Sequence, residues 1–325
     1  LRLADVLQAA LLDWSGSAPG QDRPFAAALP FGITGEIDIT PAVLEIHPHF
    51  LARDGQIILK AGAGEMQLAT FAKDDQGRAA EIELASRGAD ANRKLEGFVR
   101  VPVDLARQMA LADGRPAASG EGTIEVRFST EGRSPGGALA SLQGSGSFDF
   151  ENFRLLGLDP KAFTAKLAEA KDAAGITAAF DARKDGQGVD FGKVGGSVTI
   201  TEGEVGLLPF SLKTADADLQ VKTVAELALG EIDSSVTLSL KAREGLPAMT
   251  LAYAGPPMAL SRSEDISELS TKLGVTIMQA GIDELERLQE EQKRLAAEEE
   301  KQRIEDEARL AAYYAKRDEL LLRRR

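Results

Sequence analysis

The stretch that decides the fold is Gly146-Ser147-Phe148-Asp149-Phe150-Glu151, in which polar and apolar residues alternate behind a glycine. The pattern returns as Gly196-Ser197-Val198-Thr199-Ile200-Thr201 and, less closely, as Gly35-Glu36-Ile37-Asp38-Ile39-Thr40. Alternation with a period of two places every second side chain on the same face of a β-strand. A strand unit that recurs along a chain is typical of β architectures in which each unit buries its apolar face against its neighbours. We therefore predict a repetitive β structure with one apolar face.

The alternation extends over most of the chain between about residues 30 and 255. Its polar phase carries charged residues, so each predicted strand has one buried face and one face in water. Turn signals such as Asp54-Gly55 and Glu202-Gly203 separate the strands and favour antiparallel hairpins. The predicted fold class is mainly β, an elongated curved antiparallel sheet with a few short helices. The short helices are predicted at residues 3–12, 102–112, 137–142 and 160–173.

From about residue 281 to the end, glycine is nearly absent and Glu, Lys, Arg, Ala and Leu dominate. Opposite charges four residues apart, such as Glu290 and Arg294, support a helix. A coiled coil needs apolar residues at two positions of each heptad, but Gln289 and Gln292 occupy such positions. This disfavours a sustained coiled coil. We predict a long, charged, solvated helix whose end carries an apolar, partner-binding surface formed by Leu310, Tyr313, Tyr314 and Leu320.

These patterns divide the chain into four predicted segments. Residues 1–29 form an N-terminal amphipathic helix and linker, and residues 30–260 form the repetitive β domain. Residues 261–280 form a capping helix, which begins with the capping box Ser261-x-x-Glu264. Residues 281–325 form the charged helical tail.

Composition excludes several classes of protein. The chain has 325 residues, no cysteine and a formal net charge of −13. It therefore has no disulfides or thiolate metal sites, and its negative charge disfavours nucleic-acid binding. No window carries the roughly 20 apolar residues that span a bilayer. Because the chain begins with Leu1 and not Met, we expect a piece of a longer protein, with any membrane anchor outside it.

Few residues are candidates for chemistry. His47 and His49 lie two apart, as two zinc ligands on one strand face would, but no cysteine or further histidine completes a site. Pro48 between them favours an exposed edge strand. Residues 132–137, Gly-Arg-Ser-Pro-Gly-Gly, lack the Lys and Ser/Thr of a phosphate-binding loop, which favours a glycine-rich turn. We predict no catalytic residue, no cofactor and no metal.

The apolar phase of the strands is the remaining functional candidate. It forms either an ordinary sandwich core or the lining of a long groove that accepts acyl chains. In such a groove each methylene removed from water contributes about 0.8 kcal/mol. The predicted lining residues of the groove are Ile37, Ile39, Ile124, Val126, Phe148, Phe150, Val198, Ile200, Val236 and Leu238.

The segment at residues 131–147 resembles the C-terminal region of AsmA-family proteins. In that family a glycine-punctuated segment of this kind precedes a strand and a Gly-Leu-Asp element, here Gly157-Leu158-Asp159. The Gly-Gly-x-Val-x-Ile-x-x-Gly strand at residues 195–203 also fits. The resemblance covers residues 120–275 well and residues 30–120 more loosely, and the long charged tail departs from it.

The resemblance implies a protein of a Gram-negative bacterium with a β-sheet trough related to the repeating β-groove of bridge-like lipid-transfer proteins. It also implies a periplasmic body, an inner-membrane helix absent from this chain, and a role in outer-membrane biogenesis. We accordingly expect a non-enzymatic module that binds or conducts phospholipid along its groove between the two membranes.

Two other functions compete with lipid binding. In the first, the β body is a solid scaffold whose helical tail recruits another envelope protein and influences outer-membrane protein assembly. In the second, the chain is a polysaccharide-active enzyme. The single Trp and three Tyr disfavour the enzyme, because they leave few aromatic platforms for sugars.

Overall fold

The protein is mainly β, with one large antiparallel sheet, short helices and a long C-terminal helix. The computed structural model describes residues 1–12, 22–26, 34–47, 50–62, 64–74, 76–88, 92–182, 188–241 and 245–322. Over these residues the large sheet has thirteen strands in the order β1-β4-β5 and then onward in sequence to β15. The strands β2 and β3 form a separate hairpin.

The strands of the large sheet are β1 Gly35–Ile39, β4 Asp54–Gly62, β5 Glu65–Lys73, β6 Ala79–Arg87, β7 Arg93–Asp104, β8 Ala118–Gly132, β9 Gln143–Leu155, β10 Val189–Thr201, β11 Glu204–Lys213, β12 Ala217–Glu226, β13 Glu231–Leu240, β14 Met249–Gly255 and β15 Ser261–Asp265. The hairpin consists of β2 Leu44–His47 and β3 Phe50–Ala52. The helices are α1 Leu3–Leu11, α2 Leu105–Gln108, α3 Pro135–Ala140, α4 Pro160–Glu169, α5 Ala173–Ala182 and α6 Ser267–Leu322.

Two copies of the glycine-led pattern lie side by side as β9 and β10. Their antiparallel register places Gly196 opposite Phe148 and Gly146 opposite Val198. Each glycine therefore faces the first apolar residue of the other copy, and the missing side chain leaves room for it. The predicted turn at Glu202-Gly203 is confirmed, with Gly203 at φ +80°.

One face of the large sheet carries the alternating apolar side chains, and we call it the inner face. Its first strands are covered by α1 and the β2–β3 hairpin, whose Leu44 and Phe50 pack with Ile57 and Leu68. Its last strands are covered by α4, α5 and the first turns of α6, with Phe163 fully buried in this cluster. The middle of the inner face retains partly exposed apolar residues on β8 and β11.

The sheet bends so that segments joined to distant strands meet at one end of it. In a flat sheet β8 and β14, six positions apart, would be separated by about 29 Å. However, the segment after α2 hydrogen-bonds to the β14–β15 connection: Ala110 N donates to Pro257 O and Leu260 N donates to Ala110 O, both at 2.8 Å. One cavity also contacts Ile124 of β8 and Tyr253 of β14. The inner face is therefore the floor of a trough.

Two local predictions are wrong. Asp54 and Gly55 belong to β4 and do not form a turn. Gly55 is needed there because a Cβ at this position would lie 2.9 Å from the Leu44 side chain, which packs across it. The helix predicted at residues 102–112 is limited to α2, because Pro102 and Val103 continue β7 and pair with β8.

The predicted capping helix at residues 261–280 is also wrong in its extent. Residues Ser261–Asp265 form β15, which pairs with β14, so the proposed capping box lies in a strand. The helix begins at Ser267, whose N–H donates to the Asp265 carboxylate at 3.0 Å. It runs without a break through Gly274 and Gly281 to Leu322, so the capping helix and the charged tail are one element.

An apolar cavity as the candidate functional site

The trough contains an apolar cavity of about 290 Å³. It lies on the inner face between α2, which contributes Leu105, and the strands from β8 to β14. Among the residues that the structure describes, no charged side chain lines the cavity. A cavity of this size is close to the lower end of the range for small-molecule sites.

Flat-lying phenylalanine rings form much of the cavity floor. A Cβ placed on Gly196 would lie 2.7 Å from Cε1 and Cζ of Phe148, so the ring covers the glycine of the next strand. The Phe148 ring also packs against Phe210 and Phe150, with centroids 5.6 and 5.8 Å away. Outside this cavity, Phe128 covers Gly97 of β7 in the same manner. Because these rings lie along the sheet, the space above them stays open.

Three hydroxyl groups interrupt the apolar lining. Thr223, Ser234 and Tyr253 all line the cavity. The Thr223 Oγ1 and Ser234 Oγ atoms are 2.7 Å apart and share a hydrogen bond. Tyr253 is 4% exposed, and its Oη has no hydrogen-bond partner within the part of the chain that the structure describes.

The phenol of Tyr253 is held in its neutral form. Burial raises its pKa, and the nearby Glu264 carboxylate acts in the same direction, while the Arg262 guanidinium opposes them. Arg262 lies opposite Tyr253 on the edge strand β15 and pairs with Glu264 at 2.8 Å. Neither Arg262 nor Glu264 lines the cavity, so this charged pair stands beside the cavity and not inside it.

A second apolar hollow of about 330 Å³ lies on the same inner face. It is lined by Leu7 and Leu11 of α1, by Leu95 and Phe128 of the sheet, and by Leu142 after α3. On β8, Val126 stands between Phe128 of this hollow and Ile124 of the first cavity. The inner face therefore offers two neighbouring apolar spaces.

The ten predicted lining residues fall into three groups. Five of them line the first cavity, namely Ile124, Phe148, Phe150, Val198 and Val236. Three pack beside it in the apolar clusters, namely Val126, Ile200 and the fully buried Leu238. Two lie at the opposite end of the sheet, namely Ile37, which is 38% exposed, and Ile39, which packs with the N-terminal cluster.

The sequence prediction did not include the three hydroxyl residues. Each of them stands at a position of its strand where the alternation places an apolar residue. A single polar residue at such a position gives no reason to predict a site. The signal in the sequence was that three successive strands each carry a hydroxyl residue on the same face. Only the strand register shows that the three residues lie in one row.

The other candidate residues lie outside the cavity. His47 ends β2, while Pro48 and His49 fall outside the described residues. No group of three His, Asp or Glu side chains suited to a metal ion occurs in the described ranges. At the predicted glycine-rich turn, Ser134 Oγ caps α3 by accepting from Gly137 N at 3.3 Å. This glycine-rich segment therefore begins a short helix.

The predicted partner-binding residues lie on the exposed part of α6. From Met278 to Lys316 every side chain is exposed, and the helix from Met278 to Leu322 extends about 67 Å. Leu310, Tyr313 and Tyr314 are 60%, 68% and 46% exposed, and the two tyrosine rings touch edge to face at 5.8 Å. The side chain of Leu320 is outside the described part of the chain.

Comparisons with known protein families, with curated proteins and with solved structures find no match for this chain. Among the helices that the structure describes, none is both long and apolar enough to cross a membrane.

Proposed function

We propose that this chain is a non-enzymatic lipid-binding module that holds acyl chains against the inner face of its sheet. The observation that carries the proposal is the uncharged apolar cavity in the trough, with Phe148 and Val198 in its lining. Water is poorly stabilised in an apolar cavity, because a buried water molecule needs two to four polar partners. An acyl chain can fill the same cavity through van der Waals contacts alone, without a hydrogen bond or an ion pair.

Phospholipid is the proposed ligand, because the inner face has two apolar spaces and a phospholipid has two acyl chains. The first cavity and the hollow beside Phe128 are separated on β8 by one residue, Val126. Each methylene transferred from water into either space contributes about 0.8 kcal/mol, which corresponds to a factor of about four in affinity.

Holding a lipid is better supported than conducting one along the whole sheet. Elements of the chain itself cover both ends of the inner face: α1 and the β2–β3 hairpin at the first strands, and α4, α5 and α6 at the last. The resemblance of residues 131–147 to AsmA-family proteins supports a periplasmic location, an inner-membrane anchor outside this chain and a role in outer-membrane biogenesis.

The test is a chain-length series of alkanes, measured by displacement of the neutral fluorescent probe aminoanthracene. We expect affinity to rise about fourfold per methylene until the cavity is full, and then to level off. The variant Val205→Phe places a ring in the cavity and weakens binding, whereas Thr199→Phe adds the same ring on the opposite face of the sheet as a matched control. Absence of displacement by every alkane would contradict the proposal.

A second candidate function is an adaptor that recruits an envelope protein through α6. The observation that favours it is the contiguous exposure of Leu310, Tyr313 and Tyr314 on a helix that leaves the β body. An adaptor loses its partner in pull-downs when Leu310 and Tyr313 are replaced by Ser. The same variant binds alkanes as the parent does, which separates this function from lipid binding.

A further inference from the structure

We propose that Thr223, Ser234 and Tyr253 form a hydrogen-bonding site for the neutral carbonyl oxygen of an ester-linked or amide-linked acyl chain. This inference rests on the proposed lipid-binding function and deepens it, because it assigns the part of the ligand that is recognised by polar contact.

The strand register places the three residues in one row. Thr223 of β12 lies opposite Ser234 of β13, and Ser234 lies opposite Tyr253 of β14. Neighbouring strands are about 4.8 Å apart, so the three Cα atoms span two strand spacings. In the rows on either side, the side chains on these strands are apolar, for example Val221, Val236 and Leu251. The hydroxyl row is thus a confined polar feature of the cavity lining.

The row has hydrogen-bonding capacity that the described residues do not use. Thr223 and Ser234 share one hydrogen bond at 2.7 Å, so one of the two hydroxyl protons is directed elsewhere. Tyr253 Oη has no partner in the described part of the chain although the side chain is only 4% exposed. Buried polar groups almost always have partners, so a buried phenol that lines a cavity without one indicates a ligand atom there.

The chemistry of the row selects a neutral acceptor. Its members are uncharged donors, and burial keeps the Tyr253 phenol protonated by raising its pKa. A carboxylate or phosphate in this cavity would lose its hydration without forming a direct ion pair, because no charged residue of the described chain lines the space. Arg262, 5.9 Å from the centroid of the Tyr253 ring, lies outside the lining and pairs with Glu264. A carbonyl oxygen can accept a hydrogen bond from the phenol, and because it is uncharged, no ion has to be removed from water.

The experiment compares methyl decanoate with dodecane, which has the same chain length and lacks the carbonyl. Both compete with aminoanthracene for the full chain, for the Tyr253→Phe variant and for the control Tyr313→Phe, which removes an exposed hydroxyl from α6. We expect Tyr253→Phe to lower ester affinity about fivefold relative to the parent and the control, while its dodecane affinity is unchanged.

The outcomes separate this inference from the proposed function. Equal ester affinity in the parent and in Tyr253→Phe, with dodecane still bound by both, overturns the inference and leaves lipid binding intact. Tighter binding of ionised decanoate than of the ester overturns the assignment to a neutral carbonyl. Failure of both ligands to displace the probe overturns the proposed function as well.

Discussion

Replacing Gly196 with Ala tests whether flat-lying rings keep the cavity open. The added Cβ would stand 2.7 Å from the ring of Phe148, so the ring must tilt upward, away from the sheet and into the cavity. A side chain displaced from its rotamer costs about 1 kcal/mol. The tilt also disturbs the contacts of Phe148 with Phe210 and Phe150, each worth about 1 kcal/mol.

Alanine offsets part of this loss, because a strand glycine is destabilising by about 1 kcal/mol relative to alanine. We therefore expect Gly196→Ala to lower the free energy of unfolding by about 2 kcal/mol. The tilted ring should also weaken alkane binding. The matched control is Gly62→Ala on β4, where an added Cβ would meet no atom within 4 Å.

Urea unfolding of the parent and both variants measures the change in stability, and aminoanthracene displacement measures the cavity. The control should be as stable as the parent or slightly more stable. If Gly196→Ala matched the control in both stability and alkane affinity, the account of the cavity floor would be refuted.

Three further predictions concern other parts of the molecule. Phe163→Ala removes a ring that is fully buried and lies 5.4 Å from Phe180, so urea unfolding should show a loss of about 4 kcal/mol, against little change for the exposed Phe71→Ala. The Asp74 carboxyl is affected most by burial, which raises its pKa, but hydrogen bonds from Arg78 and Gln76 outweigh this and hold the pKa below its ordinary value. Asp74 therefore stabilises the fold above about pH 4 and loses this contribution as the pH falls through its lowered pKa. Asp74→Asn should accordingly flatten the acid side of a curve of unfolding free energy against pH. An unchanged curve would contradict this role of Asp74. Truncation after Gly281 should change the free energy of unfolding of the β body by less than about 0.5 kcal/mol, because the described side chains from there on are exposed, and a larger loss in urea would show that the tail packs on the body.

The strands of this protein were predictable because their alternation has one cause. Residues such as Phe148 and Val198 are apolar because one face is buried, and that requirement recurs on every strand of the sheet. The same reasoning identified five residues of the cavity lining. It could not separate lining from solid core: Leu238 has the same pattern as Val236, yet only Val236 faces the cavity.

The remaining features depend on contacts between residues far apart in sequence. The segment at residues 261–265 carries a capping pattern, but pairing with β14 overrides it and makes a strand. Covering of the sheet ends by α1 and α4 follows from tertiary packing, which sequence periodicity does not encode. The hydroxyl row likewise exists only through the register of three strands.

The two outermost strands of the large sheet also bear on how the protein behaves at high concentration. Both β1 and β15 are only five residues long, and each carries two acidic residues, Glu36 and Asp38 on one and Glu264 and Asp265 on the other. Each border is short and has a net negative charge, although Arg262 on β15 pairs with Glu264, so it repels the equivalent border of another molecule and offers few free amides for pairing. A broad sheet that would otherwise recruit further strands is thereby kept from polymerising.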